Sequence, residues 1–359
     1  MHFYESMVIT SKDGMQLKSY ANEHPDGFVI AKPKYIPQGK ITCPGFQKRE
    51  LRGVKVERFD YWAATPDELA TYVDDFHNIY PTYIHNSPLH QRWFFGVPTS
   101  DIVEAPDTRE GVRKLMKRDP KELDMYLTRV QEFLNVLHDS GLPYSVMGIT
   151  NSTLLGTYTH GRSDMDILLF GKKNYWHFFD AISQVKHPLL GWKTLQEWQA
   201  YYASYNAGLN FTEKEFIWHS QRKRGDGLFG DIVFSVFGVE EPGETAVKWG
   251  TETYTPMGHA TIKGIVTNDN NSIVRPGFYE IGNSTTITGK DVPVKKVVTF
   301  ARDFMAQARE GETILANGVL EKVTPQNGNE YYQLVIGYFD SYFANRGVEF
   351  IKVKHAETT

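Results

Sequence analysis

Residues 148–166 read GITNSTLLGTYTHGRSDMD, and the terminal Asp164-Met165-Asp166 leads directly into Ile-Leu-Leu-Phe. Carboxylates at i and i+2 of an apolar strand fall on one face of a sheet, because strand side chains alternate. Like charges on one face repel, and burial penalises both, so the pair calls for a positive charge between them. Hard divalent cations prefer carboxylate oxygens, and phosphoryl transfer uses such cations to neutralise a nucleoside triphosphate. Asp164 and Asp166 are therefore expected to bind metal, with Mg2+ (or Mn2+) the fitting cofactor.

The elements that would position this pair are legible along the chain. At 359 residues, 41% hydrophobic and 14% aromatic, the sequence predicts two or three globular parts. Residues 1–118 carry short β-like runs at Met7–Ile9, Gln16–Tyr20, Phe28–Ala31 and Val54–Phe59, and a helix opened by Thr65-Pro66-Asp67-Glu68. Residues 119–243 form the expected α/β core. Asp119-Pro120 starts a helix with apolar residues at Leu123, Leu127, Val130, Leu134 and Leu137. A strand at Tyr144–Gly148, a short helix from Asn151 and the Asp164–Phe170 strand follow, and Thr194/Glu197 and Thr212/Glu215 read as capping boxes. The strand Asp231–Phe237 closes the core, and residues 240–244 read as a linker. From there to residue 359, five strand-like runs lie at His259–Thr267, Ser272–Ile281, Val292–Phe300, Thr313–Val323 and Tyr331–Tyr338. Asn327-Gly328 is a hairpin signal, and the set predicts a small OB-like β-barrel. The expected class is a multidomain α+β protein with a mixed-sheet core.

A helix start with small polar residues offers N–H groups to a phosphate, and Asn151-Ser152 stand at such a start, eleven residues ahead of the aspartates. This arrangement resembles the nucleotidyltransferase superfamily that includes DNA polymerase beta and the CCA-adding enzymes, whose signature is a Gly-Ser turn, a spacer of this length and Asp-x-Asp on a strand. Together with the early run His24–Pro37, the Arg222–Gly230 segment and the terminal β region, the chain resembles a predicted nucleotidyltransferase family found widely in archaea. The resemblance covers nearly the whole chain and implies a reaction class without a settled substrate. It implies a third carboxylate, placed at Asp231 in GDIVFSVF, which would complete the metal site and act as general base. It also implies nucleotide binding at Gly148, Asn151 and Ser152. Asn151 stands where the superfamily has Gly, and Asn tolerates positive φ better than other residues. Gln221-Arg222-Lys223-Arg224 ends a helix just before the Asp231 strand, so Arg222 and Arg224 are candidates for the triphosphate, although cations at a helix end also complement its dipole. His160 and Arg162 occupy the turn before the aspartates, where loop polarity accounts for them equally well.

Residues 32–58 hold eight basic residues, among them Lys34, Arg52 and Arg58, against two acidic ones, and Tyr35 and Phe46 could stack on bases. This segment and the barrel make RNA the first expectation for an acceptor partner beside the nucleoside triphosphate. A net charge of −4 argues against a wholly basic nucleic-acid coat protein. No run approaches a membrane span, no secretion signal opens the chain, and the single Cys43 fits a packed residue in a reducing cytoplasmic setting. Histidines at zinc spacing, a P-loop and a Gly-x-Ser-x-Gly elbow are absent. The expected function is metal-dependent transfer of a nucleoside monophosphate to a hydroxyl acceptor. The alternative is a catalytically inactive nucleotidyltransferase-like RNA- or partner-binding protein.

Overall fold

In the computed structural model, residues 2–42, 46–61, 64–204, 210–342 and 348–354 are described; Cys43 lies outside them. Alternating short runs near the N-terminus become β1 (Val8–Ser11), β2 (Gln16–Ser19) and the longer β3 (Phe28–Pro37), followed by the β4 (Phe46–Leu51) and β5 (Val54–Phe59) hairpin. Thr65 caps α1 (Pro66–Ile79) with a full capping box, as its Thr-Pro-Asp-Glu sequence predicts. Strands β6 (Ile84–Ser87), β7 (Arg92–Pro98) and β8 (Ile102–Glu104), which the sequence signals did not mark, complete an eight-stranded sheet.

Helix α2 (Thr108–Met116), capped by Asp107, buries Val112 and Leu115 in the core that follows, so the boundary expected at residue 118 moves to the segment just before α2. Helix α3 (Met125–Asp139) starts later than Asp119-Pro120 predicts. Those residues open only a single 3-10 turn, and the Asp124 side chain supplies the cap by accepting from the Leu127 N–H. Next come β9 (Met147–Ile149), α4 (Asn151–Leu155), β10 (Met165–Phe170), α5 (Lys172–Ala181), β11 (Leu190–Gly191), α6 (Leu195–Ser204), α7 (Glu213–Arg222), β12 (Asp226–Phe229) and β13 (Ile232–Val239). The sheet runs β11-β12-β13-β10-β9, with β10 and β13 parallel and the other pairs antiparallel. One of its faces sends Met165, Ile167, Leu169, Phe234 and Val236 against Val130, Phe133, Leu134 and Leu137 of α3. The other sends Leu168, Phe170, Phe237 and Val239 against Tyr4 and Met7 of the N-terminal part.

The last part contains β14 (Glu252–Asn268), β15 (Gly277–Thr288), β16 (Val294–Thr299), β17 (Thr313–Pro325), β18 (Tyr331–Ile336), α8 (Phe339–Tyr342) and β19 (Phe350–Val353). Pairing in the order β14-β15-β16-β18-β17, with β17 returning to β14, closes a five-stranded ring in which β16 and β18 are parallel. Residues 272–276, expected in the second strand, instead lie in the turn before it. The 240–244 segment is not a free linker. Glu240 is buried, accepting from Asn22 Nδ2 (3.1 Å) and Lys172 Nζ (3.3 Å), and Lys172 also donates to Asn271 of the last part (2.7 Å), so all three parts meet there. The whole is an α+β protein, and no described helix is long and apolar enough to cross a membrane.

Helix α7 ties the core to the barrel. His219 donates from Nδ1 to the Glu215 carbonyl (2.8 Å) and accepts from the Val353 N–H at Nε2 (3.0 Å). Burial pulls its pKa down to about 4, consistent with this neutral form. The Thr212 hydroxyl accepts from the Glu215 N–H (3.2 Å), while the Glu215 carboxylate accepts from the Thr212 N–H (2.8 Å) and from Lys352 (3.1 Å). Thr212→Ala is therefore expected to cost about 1 kcal/mol, lowering the thermal midpoint by roughly 2–4 °C. A calorimetric scan with an unchanged midpoint would contradict that role for the cap.

Candidate active site

Alternation along β10 puts Asp166 on the same face as Leu168 and Phe170, the face turned toward the N-terminal part, and Asp164 immediately precedes the strand. Asp166 is half-buried and Asp164 stands at the exposed edge of the strand. In the ladder Asp166 is level with Ser235 of β13, and Ser235 is level with Asp226 of β12. Three residues of one row thus share a face, and the Ser235 hydroxyl donates to Asp226 Oδ1 (2.6 Å). Desolvation and then the neighbouring charge of Asp166 hold the Asp164 carboxyl above its ordinary range, with Asp226 adding to the repulsion. Among the described residues, no group of three or more His, Cys, Asp or Glu side chains is gathered to hold a metal ion by protein ligands alone.

The backbone around the pair is fixed by polar contacts. The Thr150 N–H donates to the Asp166 carbonyl (3.1 Å) and its hydroxyl to the Ser6 carbonyl (2.7 Å). Tyr126 from α3 donates to the Asp164 carbonyl (2.7 Å), and its oxygen also lies 2.7 Å from the Thr153 hydroxyl of α4. At the start of α4, Asn151 adopts φ +53°, the left-handed conformation that its place in the turn demands and that Asn bears well. Its side-chain oxygen accepts from Lys34 Nζ (2.9 Å). Arg52 grips the other end of α4, donating from Nε and Nη2 to the Leu155 carbonyl (3.1 and 2.6 Å). Two members of the basic segment thus clamp the α4 turn.

Cations surround the carboxylates. Lys18 of β2 and Lys34 of β3 both feel the Asp166 charge, yet burial dominates and lowers their pKa values to about 7 and about 8. Arg302, from the barrel, reaches Asp226 (3.4 Å) and lies over the Phe237 ring (3.3 Å). Lys193 and Arg58 act on Asp164 from further around the cleft. The site is assembled from all three parts of the chain. Carboxylates framed by poised lysines suit a polyanion that arrives with its own cation.

Several expected site residues lie elsewhere. Asp231 does not head a strand. It shares the two-residue turn between β12 and β13 with Gly230 (φ +65°), its side chain is 62% exposed, and its Oδ2 lies 3.6 Å from His160 Nε2. It lies four residues short of Ser235, about 13 Å along the strand, whereas Asp226 stands level with Ser235. Gly148 serves packing, because a Cβ there would come within 2.6 Å of the Thr108 hydroxyl. Ser152 is half-buried at the start of α4 beside Asn151. Arg222 is committed to Glu312 (2.5 Å) and the Trp218 ring, and Arg224 lies over Trp192 (5.1 Å). Arg162 is exposed in the turn before the aspartates. Phe46 is half-buried and makes T-shaped contacts with Phe59 and Tyr72.

Asp226 had a signal in the sequence. Gly230-Asp231 between Leu228-Phe229 and Ile232-Val233 reads as a two-residue hairpin turn, and that register alone sets residue 226 opposite 235. Lys18 and Arg302 had none, since each comes from a different part of the chain and reaches the cleft only through domain packing.

In comparisons with known proteins, an uncharacterized protein of Methanocaldococcus jannaschii is 30% identical over 223 residues, which is 61% of this chain and 62% of that protein. The chain therefore matches less than two thirds of that relative's length. No protein-family model and no solved structure matches.

Proposed function

We propose that the chain is a metal-dependent nucleotidyltransferase acting at Asp164, Asp166 and Asp226. The observation that carries this reading is the row Asp166–Ser235–Asp226, with Asp164 just before the Asp166 strand and the left-handed Asn151 turn attached to the same strand through Thr150. The donor set fits Mg2+ or Mn2+. Mg2+ is commonly held by one or two carboxylates while phosphates and water fill the rest of its octahedron, so two aspartates suffice when the ion enters with a triphosphate. When bound, the metal supplies charge neutralisation at the triphosphate and at the attacked α-phosphate.

The chain's own groups supply the rest. Asp164 and Asp166 hold the ion's protein side. Lys34, with Asn151 and Ser152 at the α4 turn, takes the β- and γ-phosphates, and Lys18 adds a second cation on that side. Asp226 accepts from Ser235 on Oδ1, which leaves Oδ2 to receive the proton of an attacking hydroxyl. The hydroxyl oxygen bonds to the α-phosphate as the bond to pyrophosphate breaks. The closed five-stranded ring is read as an OB-like barrel. Together with the exposed cations Lys48, Arg49, Lys55 and Arg58 of the β4–β5 hairpin, it supports a single-stranded RNA acceptor.

The test is incubation with α-labelled triphosphates and separated cellular RNA, protein and metabolite fractions. Label should move to RNA with wild type and not with Asp164→Ala/Asp166→Ala. If no fraction is labelled and no triphosphate raises the melting temperature, the transferase reading is wrong. Asp231→Asn should leave transfer within about twofold, as expected for an exposed turn residue. A loss like that of Asp164→Ala/Asp166→Ala would return Asp231 to the catalytic set.

A further inference from the structure

A cavity of about 110 Å³ lies away from the aspartates, where the N-terminal part, the outer face of the barrel and the connecting segment 245–250 meet. Aromatic side chains form part of its wall, among them Phe94, Trp249, Phe278, Phe300 and Tyr338. The volume approaches that of an apolar cavity able to take benzene, roughly 150 Å³, so one ring-sized body fits. These aromatic faces offer water few partners.

Three of the charged groups on the lining are engaged by neighbours. Glu252 accepts from the hydroxyls of Tyr254 and Tyr331 (3.0 Å each), and Lys296 donates to Tyr331 (3.1 Å). Glu240 is bound by Asn22 and Lys172. Three further charged groups line it: Glu23, half-buried, Lys248, exposed, and Arg275, which alone of the three is buried. Arg275 is only 6% exposed and lies over the Tyr20 ring (4.2 Å), and its ion pair with Glu5 spans 3.6 Å, beyond hydrogen-bond reach. Its Nε has no hydrogen-bond partner among the described residues. A buried guanidinium with spare donors is costly unless something completes it, and its planar fork matches a carboxylate or phosphate.

We infer that this interdomain cavity is a binding site for a small anion with one ring-sized apolar body, the ring held among the aromatic side chains and the carboxylate or phosphate taken by Arg275. The inference is independent of the transferase reading, because no member of the aspartate row lines the cavity. Since residues 245–250 form one wall and also join core to barrel, an occupant would fasten that connection.

Fluorine-observed NMR on the full chain tests this with three probes: 4-fluorobenzoate, 4-fluorophenyl phosphate and the neutral 4-fluorobenzyl alcohol. Wild type should bind at least one of the two anions about tenfold more tightly than the alcohol, and the anion that binds names the source chemistry. Arg275→Gln should abolish that preference. Ala21→Leu, which enlarges a lining side chain and keeps Arg275, should weaken all three probes and serves if Arg275→Gln fails to fold. Asp164→Asn/Asp166→Asn should leave probe binding unchanged. The proposal fails if wild type binds none of the probes or shows no preference for an anion. It fails equally if binding survives Ala21→Leu, or is lost in Lys34→Met, which would place the anion in the aspartate cleft.

Discussion

Asp166→Asn is expected to slow nucleotidyl transfer at least a hundredfold, roughly 3 kcal/mol of barrier, while leaving the fold intact. Asp166 is the half-buried member of the pair, level with Ser235 and Asp226, and both Lys18 and Lys34 sense its charge. Asparagine keeps the shape but removes the negative oxygen that a hard cation needs. The same substitution should not destabilise the protein. Asp164 is held above its ordinary carboxyl range by desolvation and by Asp166, so the folded chain favours its protonated form. A carboxyl raised in this way contributes stability that is full below its unfolded pKa and is lost as pH rises through its folded pKa. Removing the Asp166 charge relieves that cost but withdraws the attraction that Lys18 and Lys34 feel, so the two changes oppose and the thermal midpoint of Asp166→Asn at neutral pH should stay close to that of wild type. Single-turnover transfer assays beside thermal melts decide the matter. A variant that loses stability and activity together would make the pair structural, and one that keeps full activity would remove it from the chemistry.

How much of this was legible beforehand depended on whether the controlling interaction was local. Thr65, Thr212 and Thr194 announced their helices because a capping box lies within four residues. The barrel strands were readable from alternation and from Asn327-Gly328, where Gly328 turns at φ +121°. Asp166 was readable because strand parity needs no tertiary information, and Asp164 stands one residue before the strand. Strand β7 was missed because Arg92-Trp-Phe-Phe-Gly-Val-Pro is buried on both sides and does not alternate. Helix α3 began late because a proline start competes with whichever acid can cap, and Asp124 won over Asp119. The basic segment is not all open surface, because Lys34 and Arg52 each donate to α4, more than a hundred residues away. Nothing local to residues 32–58 reports such a contact.

The buried lysines Lys18 and Lys34 lead to the second large effect, a steep loss of triphosphate affinity as pH rises. Lys18 and Lys34 lie at about 7 and about 8 because burial disfavours their charged forms. For a lysine whose folded pKa is depressed, the stability contribution is present above the unfolded pKa and is lost as pH falls through the folded one, so the unliganded protein should gain stability between about pH 7 and 10.5. Binding runs the other way. A triphosphate beside these side chains favours the ammonium form, so at pH 8 the complex must take up protons that the free protein lacks. Each proton taken up costs up to about tenfold in affinity per pH unit, and two such lysines predict a fall on the order of a hundredfold between pH 7 and 9. Calorimetric titration of a non-hydrolysable triphosphate with Mg2+, in buffers of different ionisation enthalpy, measures both the affinity and the proton uptake. Lys18→Met should lower affinity at pH 7 and flatten the lower part of the pH dependence, and Lys34→Met should flatten the upper part. Affinity that stays level from pH 7 to 9 in wild type would mean that the phosphates do not enter between β2, β3 and the aspartate row. The cleft would then need a different occupant.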